Sequence, residues 1–505
     1  MIRRILIANR GEIALRVIRA CRDLGIRAIA VYSEADADAP HVAAADEAVL
    51  IGPAPATESY LKIPAIIDAA RRTAADAVHP GYGFLSENAA FAGACEAAGI
   101  IFIGPPAAVI SRMGSKTGAR DAVRAAGVPV VPGETPRSQS ESDLLDAMRR
   151  VGYPLLLKAA SGGGGKGMRT VRAEAEAGEA IGAARREAER AFAAGALYVE
   201  RLVERPRHIE VQIFGDTHGS LVHLFERDCT LQRRHQKVVE EAPAPTLTAG
   251  VRERITQAAL LAARTVGYVN AGTVEFLLDG EGDQANFYFL EMNTRLQVEH
   301  PVTEAVTGFD LVHAQIAVAS GERLPFSQAD ITCRGHALEC RIYAEDSVRL
   351  LPQAGRLLRY REPEGPGIRV DSGVREGQTV TVHYDPMLAK LITHAPTRDE
   401  AIDRMLSALA SYEILGVRHN IPFLRRLLAR PEIRTHATHT RFIEEHLDEL
   451  ARPAPPDVRQ AAAALAAFVV STGAGKVAAD GPAAGAAGRG PVRPDPWQSL
   501  GPIVW

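Results

Sequence analysis

The chain has 505 residues, which at roughly 150 residues per domain indicates about three domains. Its 58 basic and 61 acidic side chains give a net charge of -3 with neutral histidines, a balance without the basic excess of a nucleic-acid-binding protein. Hydrophobic residues make up 47% and charged residues 24%, and no uncharged apolar run reaches the roughly 18 residues that span a bilayer, so we expect a soluble, cytoplasmic protein.

Strand and helix patterns alternate over the first hundred residues. Short apolar runs indicate strands, and apolar residues at helical spacing indicate the helices between them. The predicted strands are 4–8, 27–31, 77–79 and 100–103, and the predicted helices are 12–24, 61–75 and 87–98. Strands separated by helices predict a parallel, doubly wound, Rossmann-like domain over 1–112. The first turn, 8–12, lacks Gly-x-Gly-x-x-Gly, so we expect no nicotinamide site.

A mixed α+β pattern begins near residue 113 and continues to about 320. Predicted helices (116–126, 174–194, 252–266) alternate with predicted hairpins (208–214 with 221–226, 272–278 with 286–293), whose Gly- and Asp-containing turns favour antiparallel pairing. A third region, 331–448, again mixes strands and helices. Residues 449–505 are rich in Ala, Gly and Pro, which is typical of a linker and tail.

A glycine run directly follows a predicted buried strand that ends at Lys158. Residues 162–167 are Gly-Gly-Gly-Gly-Lys-Gly. Glycine N–H groups can approach an anion closely, and lysines on both sides add charge that suits a polyphosphate. The segment is not a Walker A loop, because no Gly-Lys-Ser/Thr follows. We favour a phosphate-binding loop over a flexible surface loop.

Polar residues occupy every second position from Glu291 to Glu299. In an extended chain, the side chains of Glu291, Asn293, Arg295, Gln297 and Glu299 would line one face across about 26 Å. The alternative is a half-exposed edge strand. Residues 287–290 look buried on both faces, however, so Glu291 would need a compensating cation, as would Glu275 inside the apolar run 274–278. Two acids and an amide on neighbouring strands predict a Mg²⁺ site.

Three further segments carry weaker signals. The charged run 231–241, which contains His235 and Lys237, is equally consistent with a functional segment and with a solvated surface. His208 lies in a predicted strand, where a histidine is more often structural. The turn 79–88 places Tyr82 after a strand, where open α/β sheets bind ligands, and predicts Ser86 as a helix N-cap.

Together these segments resemble the biotin carboxylase component of biotin-dependent carboxylases. The resemblance runs from Ile5 to about His446 and includes the segments 79–88, 113–116, 158–168, 233–243, 291–304 and 339–342. It implies an ATP-grasp fold, α/β and α+β in class, with an N-terminal Rossmann-like domain, a mobile lid over about 131–202 and a C-terminal biotin carboxylase domain. It further implies an ATP- and bicarbonate-dependent ligase that carboxylates biotin through carboxyphosphate, the first half-reaction of an acyl-CoA carboxylase.

The resemblance also implies roles for single residues. ATP contacts fall on Lys116, Lys158, Gly164, Gly165, Glu200, Arg201, Leu202, Val203, His208, Gln232 and His235, with Lys237, Glu275 and Glu291 beside them. Magnesium or manganese ligands fall on Glu275, Glu291 and Asn293. Bicarbonate contacts fall on Lys237, Arg295, Gln297 and the backbone of Val298, with Glu299 as the base. Arg341 is implied to stabilise the biotin enolate, and Tyr82 to border the ureido ring of biotin.

Departures from the family pattern bear on the partners. Arg201 stands where the family often has lysine, and no methionine lies in a Met-Lys-Met biotinylation motif. The resemblance therefore implies a separate biotin carrier protein or domain, a carboxyltransferase subunit, and a homodimer or larger complex. Residues 495–501 weakly resemble the mid-domain of longer α subunits, which suggests a truncated or naturally short subunit. Two alternatives stay open: another ATP-grasp ligase with an amine nucleophile, and a catalytically silent regulatory subunit.

Overall fold

The computed structural model of the chain describes residues 2–160, 168–192 and 195–453. Of the predicted tail 449–505, residues 454–505 lie outside this range. The strands are β1 (Arg4–Ile7), β2 (Arg27–Ser33), β3 (Glu47–Gly52), β4 (Ala77–His79), β5 (Ile101–Phe102), β6 (Gly133–Glu134), β7 (Leu155–Ala159), β8 (Met168–Val171), β9 (Leu197–Arg201), β10 (Arg207–Gly215), β11 (Leu221–Arg233), β12 (Gln236–Ala242), β13 (Asn270–Asp279), β14 (Asn286–Asn293), β15 (His336–Tyr343), β16 (Gly355–Arg356), β17 (Arg359–Arg361), β18 (Ile368–Ser372), β19 (Thr379–Val380), β20 (Met387–Ala395) and β21 (Glu413–Leu415).

Helices connect these strands along the chain. They are α1 (Gly11–Asp23), α2 (Pro40–Ala44), α3 (Ile63–Arg72), α4 (Ala89–Ala97), α5 (Ala107–Gly114), α6 (Lys116–Ala125), α7 (Glu141–Val151), α8 (Ala177–Phe192), α9 (Ala249–Val266), α10 (His300–Thr307), α11 (Leu311–Ala319), α12 (Arg398–Ser411), α13 (Ile421–Leu428), α14 (Pro431–Arg434), α15 (Phe442–Glu445) and α16 (Leu447–Leu450). None of the helices in the described ranges is both long enough and apolar enough to cross a membrane.

The first sheet is parallel, as predicted. Its strand order is β3-β2-β1-β4-β5, and each neighbouring pair is parallel. Helix α1 buries Ile13, Val17 and Ile18 in the core cluster that also holds Ile5 and Ile7 of β1. The predicted N-cap Ser86 is wrong. Asn88 caps α4 instead, accepting a hydrogen bond from the Phe91 N–H at 2.9 Å, because the helix begins two residues later than expected.

A small antiparallel sheet forms a unit of its own within residues 133–201. Its order is β6-β9-β7-β8. Helices α7 and α8 share one apolar core with this sheet, to which each contributes buried residues such as Met148 and Ile181. Lys158 and Glu200 lie on its two central strands, β7 and β9. The small sheet therefore carries the first predicted nucleotide residues.

A large antiparallel sheet of eight strands carries the other predicted site residues. Its order is β14-β13-β10-β11-β12-β15-β20-β18, and both predicted hairpins lie in it. The pairing of β12 with β15, from Val239 opposite Cys340 to Ala242 opposite Ala337, joins the second predicted region to the third. Glu275, Lys237 and Arg341 consequently share one continuous hydrogen-bonded sheet.

Candidate active site

A cleft of about 530 Å³ lies between the small sheet and the large sheet. Most of the predicted nucleotide residues line it: Lys158, Glu200, Arg201, Leu202, Val203, His208, Gln232, His235, Glu275 and Glu291. The predicted residues Gly164 and Gly165 lie outside the described part of the chain, as does the side chain of Lys116. Residues separated by more than a hundred positions thus meet around one cavity.

Lys158 is a buried cation on the small-sheet side of the cleft. Its ammonium donates to Glu200 Oε2 at 2.5 Å, and Arg120 lies 3.4 Å from the other oxygen of the same carboxylate. Burial alone would lower the pKa of Lys158, but the attraction of Glu200 outweighs it and the net pKa is raised. The lysine therefore stays protonated in the cleft, where an anionic ligand can compete with Glu200 for it.

His235 sits at the tip of a tight hairpin. Arg233 pairs with Gln236, so Arg234 and His235 form a two-residue loop, and both have positive φ, 48° and 64°. Positive φ at both central residues is the backbone of a type I′ turn, which non-glycine residues adopt at a cost. The charged run 231–241 is consequently two paired strands and their connecting turn, with His235 at the edge of the cleft.

Glu275 and Glu291 lie directly opposite each other on β13 and β14. Glu275 is buried, and its carboxylate contacts Lys237 at 2.8 Å, the Asn293 amide at 2.9 Å and His208 at 3.2 Å. Burial would raise the pKa of Glu275, but Lys237 and His208 hold it well below the usual range. Both acids therefore face each other across one strand pair, as the sequence predicts.

The predicted burial of residues 287–290 on both faces is wrong. Phe287 and Phe289 are buried, whereas Tyr288, Leu290 and Glu291 are half-buried. Strand β14 belongs to an antiparallel sheet with one face on the apolar core, where Phe287 and Phe289 pack, while Leu290 and Glu291 line the cleft. Glu291 thus reaches the cleft without entering the apolar core.

Lys237 is the centre of a largely buried charged cluster. Its ammonium lies 2.5 Å from Glu210, 2.8 Å from Glu275 and 2.7 Å from Glu299. Burial opposes the charge of Lys237, but the three carboxylates outweigh that effect and raise its pKa well above the ordinary value. Glu210 is shared with the fully buried Arg227, at 2.5 Å. The cluster places a permanent cation next to the predicted metal ligand Glu275.

The segment that follows β14 turns instead of continuing as a strand. The strand ends at Asn293, Glu299 precedes the first residue of α10, and Pro301 lies in the first helical turn. The predicted extended face over 291–299 is therefore wrong beyond Asn293, because Pro301 with its fixed φ favours a helix start here. The turn still gathers the polar side chains: Arg295 donates to Gln297 at 2.9 Å and to Asn293 at 3.2 Å.

Arg341 closes the cluster from strand β15. Its guanidinium donates to Glu240 at 2.6 Å and to Glu299 at 3.0 Å. Burial would raise the pKa of Glu299, but Lys237, Arg341 and Arg227 outweigh it and hold that pKa well below the usual range. Glu299 is thus an ionised carboxylate held between two cations.

Tyr82 lies beyond this turn, at the end of β4. It is half-buried, its hydroxyl has no hydrogen-bond partner among the described residues, and its ring centroid is 5.9 Å from the Lys390 ammonium. Lys390 in turn donates to the Val298 carbonyl at 2.8 Å. Tyr82 is thereby connected to the predicted bicarbonate segment through a residue that the sequence did not single out.

Comparisons with known proteins agree with this arrangement. Three family models match: "Biotin carboxylase, N-terminal domain" over 1–110, "Carbamoyl-phosphate synthase L chain, ATP binding domain" over 115–327, and "Biotin carboxylase C-terminal domain" over 339–445. A biotin carboxylase of Halalkalibacterium halodurans is 53% identical over 447 residues, which cover 88% of this chain and 98% of that protein. The chain belongs to the biotin carboxylase family.

Other members of the biotin carboxylase family differ in length from this chain. The mitochondrial methylcrotonoyl-CoA carboxylase subunit alpha of Mus musculus is 52% identical over 451 residues, which cover 89% of this chain but only 62% of that subunit. The match therefore covers only part of that longer subunit.

Solved structures of biotin carboxylases share the fold. The biotin carboxylase domain of the Hydrogenobacter thermophilus 2-oxoglutarate carboxylase, a dimer in complex with MgADP, ADP and bicarbonate, has a TM-score of 0.86 and 46% identity over 90% of this chain and all of that one. The Campylobacter jejuni biotin carboxylase has a TM-score of 0.85 and 44% identity over 88% of this chain and 99% of that one. The predicted ATP-grasp fold and the predicted class, an ATP-dependent ligase, are confirmed.

Several charged residues of this biotin carboxylase site were not predicted. Glu87 binds Arg295 at 2.8 Å, and Glu210 and Glu240 bind Lys237 and Arg341. The signal that found Glu275, an acid between apolar residues of a strand, is also present at Glu210 between Ile209 and Val211 in β10; Glu240 in β12 is next to a second acid and lacks it.

The C-terminal segment also contributes to the cleft. Thr440 and Arg441 line it, and the Thr440 N–H donates to the Pro206 carbonyl at 2.9 Å. This contact joins the turn before α15 to the segment between β9 and β10. No local pattern in the sequence indicates that residues so far apart meet.

Proposed function

We propose that this chain carries out the ATP- and bicarbonate-dependent carboxylation of biotin carried on a separate protein or domain. The observation that carries the proposal is the cluster of Lys237, Glu275, Glu299 and Arg341 at a cleft whose far wall presents Lys158. Two anions, a triphosphate and bicarbonate, have to approach each other in such a reaction. Fixed cations on both sides of the meeting point are what that approach requires.

The nucleotide is proposed to occupy the 530 Å³ cleft. Lys158 would exchange its Glu200 partner for a phosphate oxygen, His208 and His235 would contact the nucleotide from the large sheet, and residues 200–203 would offer backbone groups to the base. The glycines 164 and 165 and Lys116 complete the proposed nucleotide contacts. The lid is proposed to be residues 131–202, which close over the cleft and exclude water.

The donor set at the cleft floor fits a magnesium ion. Glu275 and Glu291 face each other in strand register, and Asn293 adds an amide oxygen two residues further on. These are the hard oxygen ligands that Mg²⁺ prefers, and manganese accepts the same set. When bound, the metal neutralises phosphate oxygens of the nucleotide. The same carboxylate of Glu275 binds Lys237, so the metal site and the bicarbonate site would adjoin.

Bicarbonate is proposed to bind at Lys237, Arg295, Gln297 and the Val298 N–H. It would take the Lys237 ammonium, which now binds one oxygen of Glu299 while Arg341 binds the other. Loss of the Lys237 contact beside a new anion would raise the pKa of Glu299 toward the range in which a carboxylate acts as a base. Glu299 would then remove the bicarbonate proton. A bicarbonate oxygen bonds to the γ-phosphorus, and the bond from that phosphorus to ADP breaks, giving carboxyphosphate.

The second step is proposed to transfer carbon dioxide to biotin. Carboxyphosphate breaks into CO₂ and phosphate, phosphate removes the proton from biotin N1, and N1 bonds to the carbon of CO₂. The guanidinium of Arg341 would stabilise the negative charge that develops on the ureido oxygen, because it is a preorganised cation in a largely buried site. Tyr82 would border the ureido ring.

The decisive measurement is ADP release. We expect it to require bicarbonate and to rise when free biotin is added. Indifference to biotin would favour the other candidate class, an ATP-grasp ligase with an amine nucleophile, and ATP binding without any turnover would indicate a silent subunit. We propose that the partners are a biotin carrier and a carboxyltransferase. We also propose that the chain forms a dimer or a larger assembly and acts in the cytoplasm. A pull-down from native lysate that identifies a biotinylated protein tests the partner proposal.

A further inference from the structure

Lys390 is a fully buried lysine on β20 that the proposed reaction does not use. Its ammonium donates to the Val298 carbonyl at 2.8 Å and lies 3.3 Å from Glu12 and 3.8 Å from Asp371. Asp371 is already engaged by the guanidinium of Arg369 at 2.8 Å. A buried ammonium is costly unless it is hydrogen-bonded and paired. Its contacts therefore join the turn before α10, helix α1 and strand β18 around one charge.

The strand register places Lys390 directly opposite Arg341. Opposed side chains in an antiparallel pair are close, so two cations in such a pair repel each other. The repulsion is offset when each cation binds an acceptor of its own. Here the partners do separate: Arg341 binds the Glu299 side chain at 3.0 Å, and Lys390 binds the Val298 carbonyl. Two neighbouring cations thus hold two consecutive residues of one turn, one through a side chain and one through the main chain.

We propose that Lys390 is a positioning residue of the bicarbonate site. By holding the Val298 carbonyl, it fixes the plane of the peptide that joins Val298 to Glu299, and so restrains the backbone on both sides: the Val298 residue, whose N–H lies one peptide earlier, and Glu299, which carries the carboxylate. This inference rests on the proposed function of that turn. Lys390 does not itself contact bicarbonate in this assignment.

The same ammonium links the turn to the biotin side of the site. Its distance to the Tyr82 ring centroid is 5.9 Å, within cation–π range, and Glu12 reaches it from α1. Helix α1 lies so close to the residue after β18 that a Cβ on Gly373 would come within 2.6 Å of the Glu12 nitrogen and 2.9 Å of the Gly11 Cα. The N-terminal domain and the large sheet therefore meet at Lys390, and the positions of the bicarbonate turn and of Tyr82 are coupled through it.

The test replaces Lys390 by a neutral side chain of similar length. Lys390→Met is compared with the exposed control Lys62→Met in two measurements: steady-state ADP release with bicarbonate and free biotin, and amide hydrogen exchange of the segment 294–302 in the free protein. We expect the KM for bicarbonate to rise about tenfold or more, as for loss of a hydrogen bond to a charged group. The KM for ATP should stay unchanged, and exchange in the segment should become faster.

A second variant separates positioning from the cost of an unpaired buried acid. Lys390→Met leaves Glu12 buried without its cation, whereas Glu12→Gln/Lys390→Met removes both charges. We expect the double variant to recover thermal stability but to keep the raised KM for bicarbonate. If Lys390→Met alone does not fold, the double variant carries the test.

Three outcomes would overturn the assignment of Lys390. These are an unchanged KM for bicarbonate in a folded variant, a parallel rise in the KM for ATP, or a double variant with the wild-type KM for bicarbonate. Failure of the proposed function would look different, since the wild-type chain itself would then release no ADP in response to bicarbonate. In that case hydrogen exchange alone decides whether Lys390 holds the turn, and unchanged exchange refutes it.

Discussion

Replacement of Arg341 by alanine should suppress biotin-dependent turnover and spare ATP binding. The change removes two charge-assisted hydrogen bonds, of 2.6 Å to Glu240 and 3.0 Å to Glu299. Loss of one preorganised donor to a developing oxyanion costs about 10²–10³ in kcat, or about 3–4 kcal/mol. The effect should stay local, because Glu299 keeps its 2.7 Å contact with Lys237, and Lys158 with its partner Glu200 belongs to the other wall of the cleft.

The assay is steady-state ADP release at saturating bicarbonate, with and without free biotin. Biotin-stimulated kcat should fall by the 10²–10³-fold given above, while the KM for ATP stays unchanged. Arg3→Ala, at an exposed position near the start of β1, is the matched control and should behave as wild type. An equal loss of ATP binding and turnover in a folded Arg341→Ala variant would refute the assigned role.

Three other residues of the site, Glu299, Glu291 and Glu240, give further testable outcomes. Glu299→Gln should leave the KM for ATP unchanged and reduce bicarbonate-dependent ADP formation by about 10²–10⁴-fold, the usual contribution of a general base, and near-normal turnover would rule out that role. Chelation of the metal should abolish ADP release. Glu291→Gln should raise the magnesium concentration needed for activity by more than about tenfold, since loss of a residue that only supports a metal ligand already costs about that much. An unchanged magnesium requirement would exclude Glu291 as a ligand. Burial raises the pKa of Glu240 to about 7, although the attraction of Arg341 lowers it in part. Between about pH 4.5 and about pH 7 the folded state therefore keeps a proton on Glu240 that the unfolded state has released. The free energy of unfolding should therefore decrease as pH rises from about 4.5 to about 7, by up to about 3 kcal/mol from this group. Glu240→Gln should flatten that dependence in urea titrations, and an equally steep profile would contradict it.

The parallel sheet and the two hairpins could be predicted from the sequence because each depends on local patterns. Apolar runs of three to five residues separated by helices predict a parallel sheet, although its strand order and its edge strand β3 were not predicted, and turns such as 215–219 predict the hairpin of β10 and β11. The continuation of β14 through Glu299 was predicted wrongly, since the alternation of polar residues persists there although Pro301 starts a helix. Periodicity alone does not separate a strand from a polar turn.

The charged partners of the site could be predicted only in part. Glu275 and Glu291 were found because an acid in an apolar strand needs a compensating cation, and that reasoning is local. Lys390 carries the same kind of signal, a charge inside the apolar strand β20, and was missed. Its partners Val298, Glu12 and Asp371 come from distant segments that only the folded chain brings together. The residue roles and the domain limits 113–320 and 331–448 stay predictions.

The backbone hydrogen bonds between β12 and β15 limit where this enzyme could be recombined with a relative. Two separate family models meet between residues 327 and 339, which invites recombination there, yet the strands on either side are hydrogen-bonded neighbours. A hybrid spliced at that joint would have to match one parent's Glu240 to the other parent's Glu339, and it would inherit Lys237 and Arg341 from different lineages. Hybrids between relatives should therefore fold only when β12 and β15 come from the same parent.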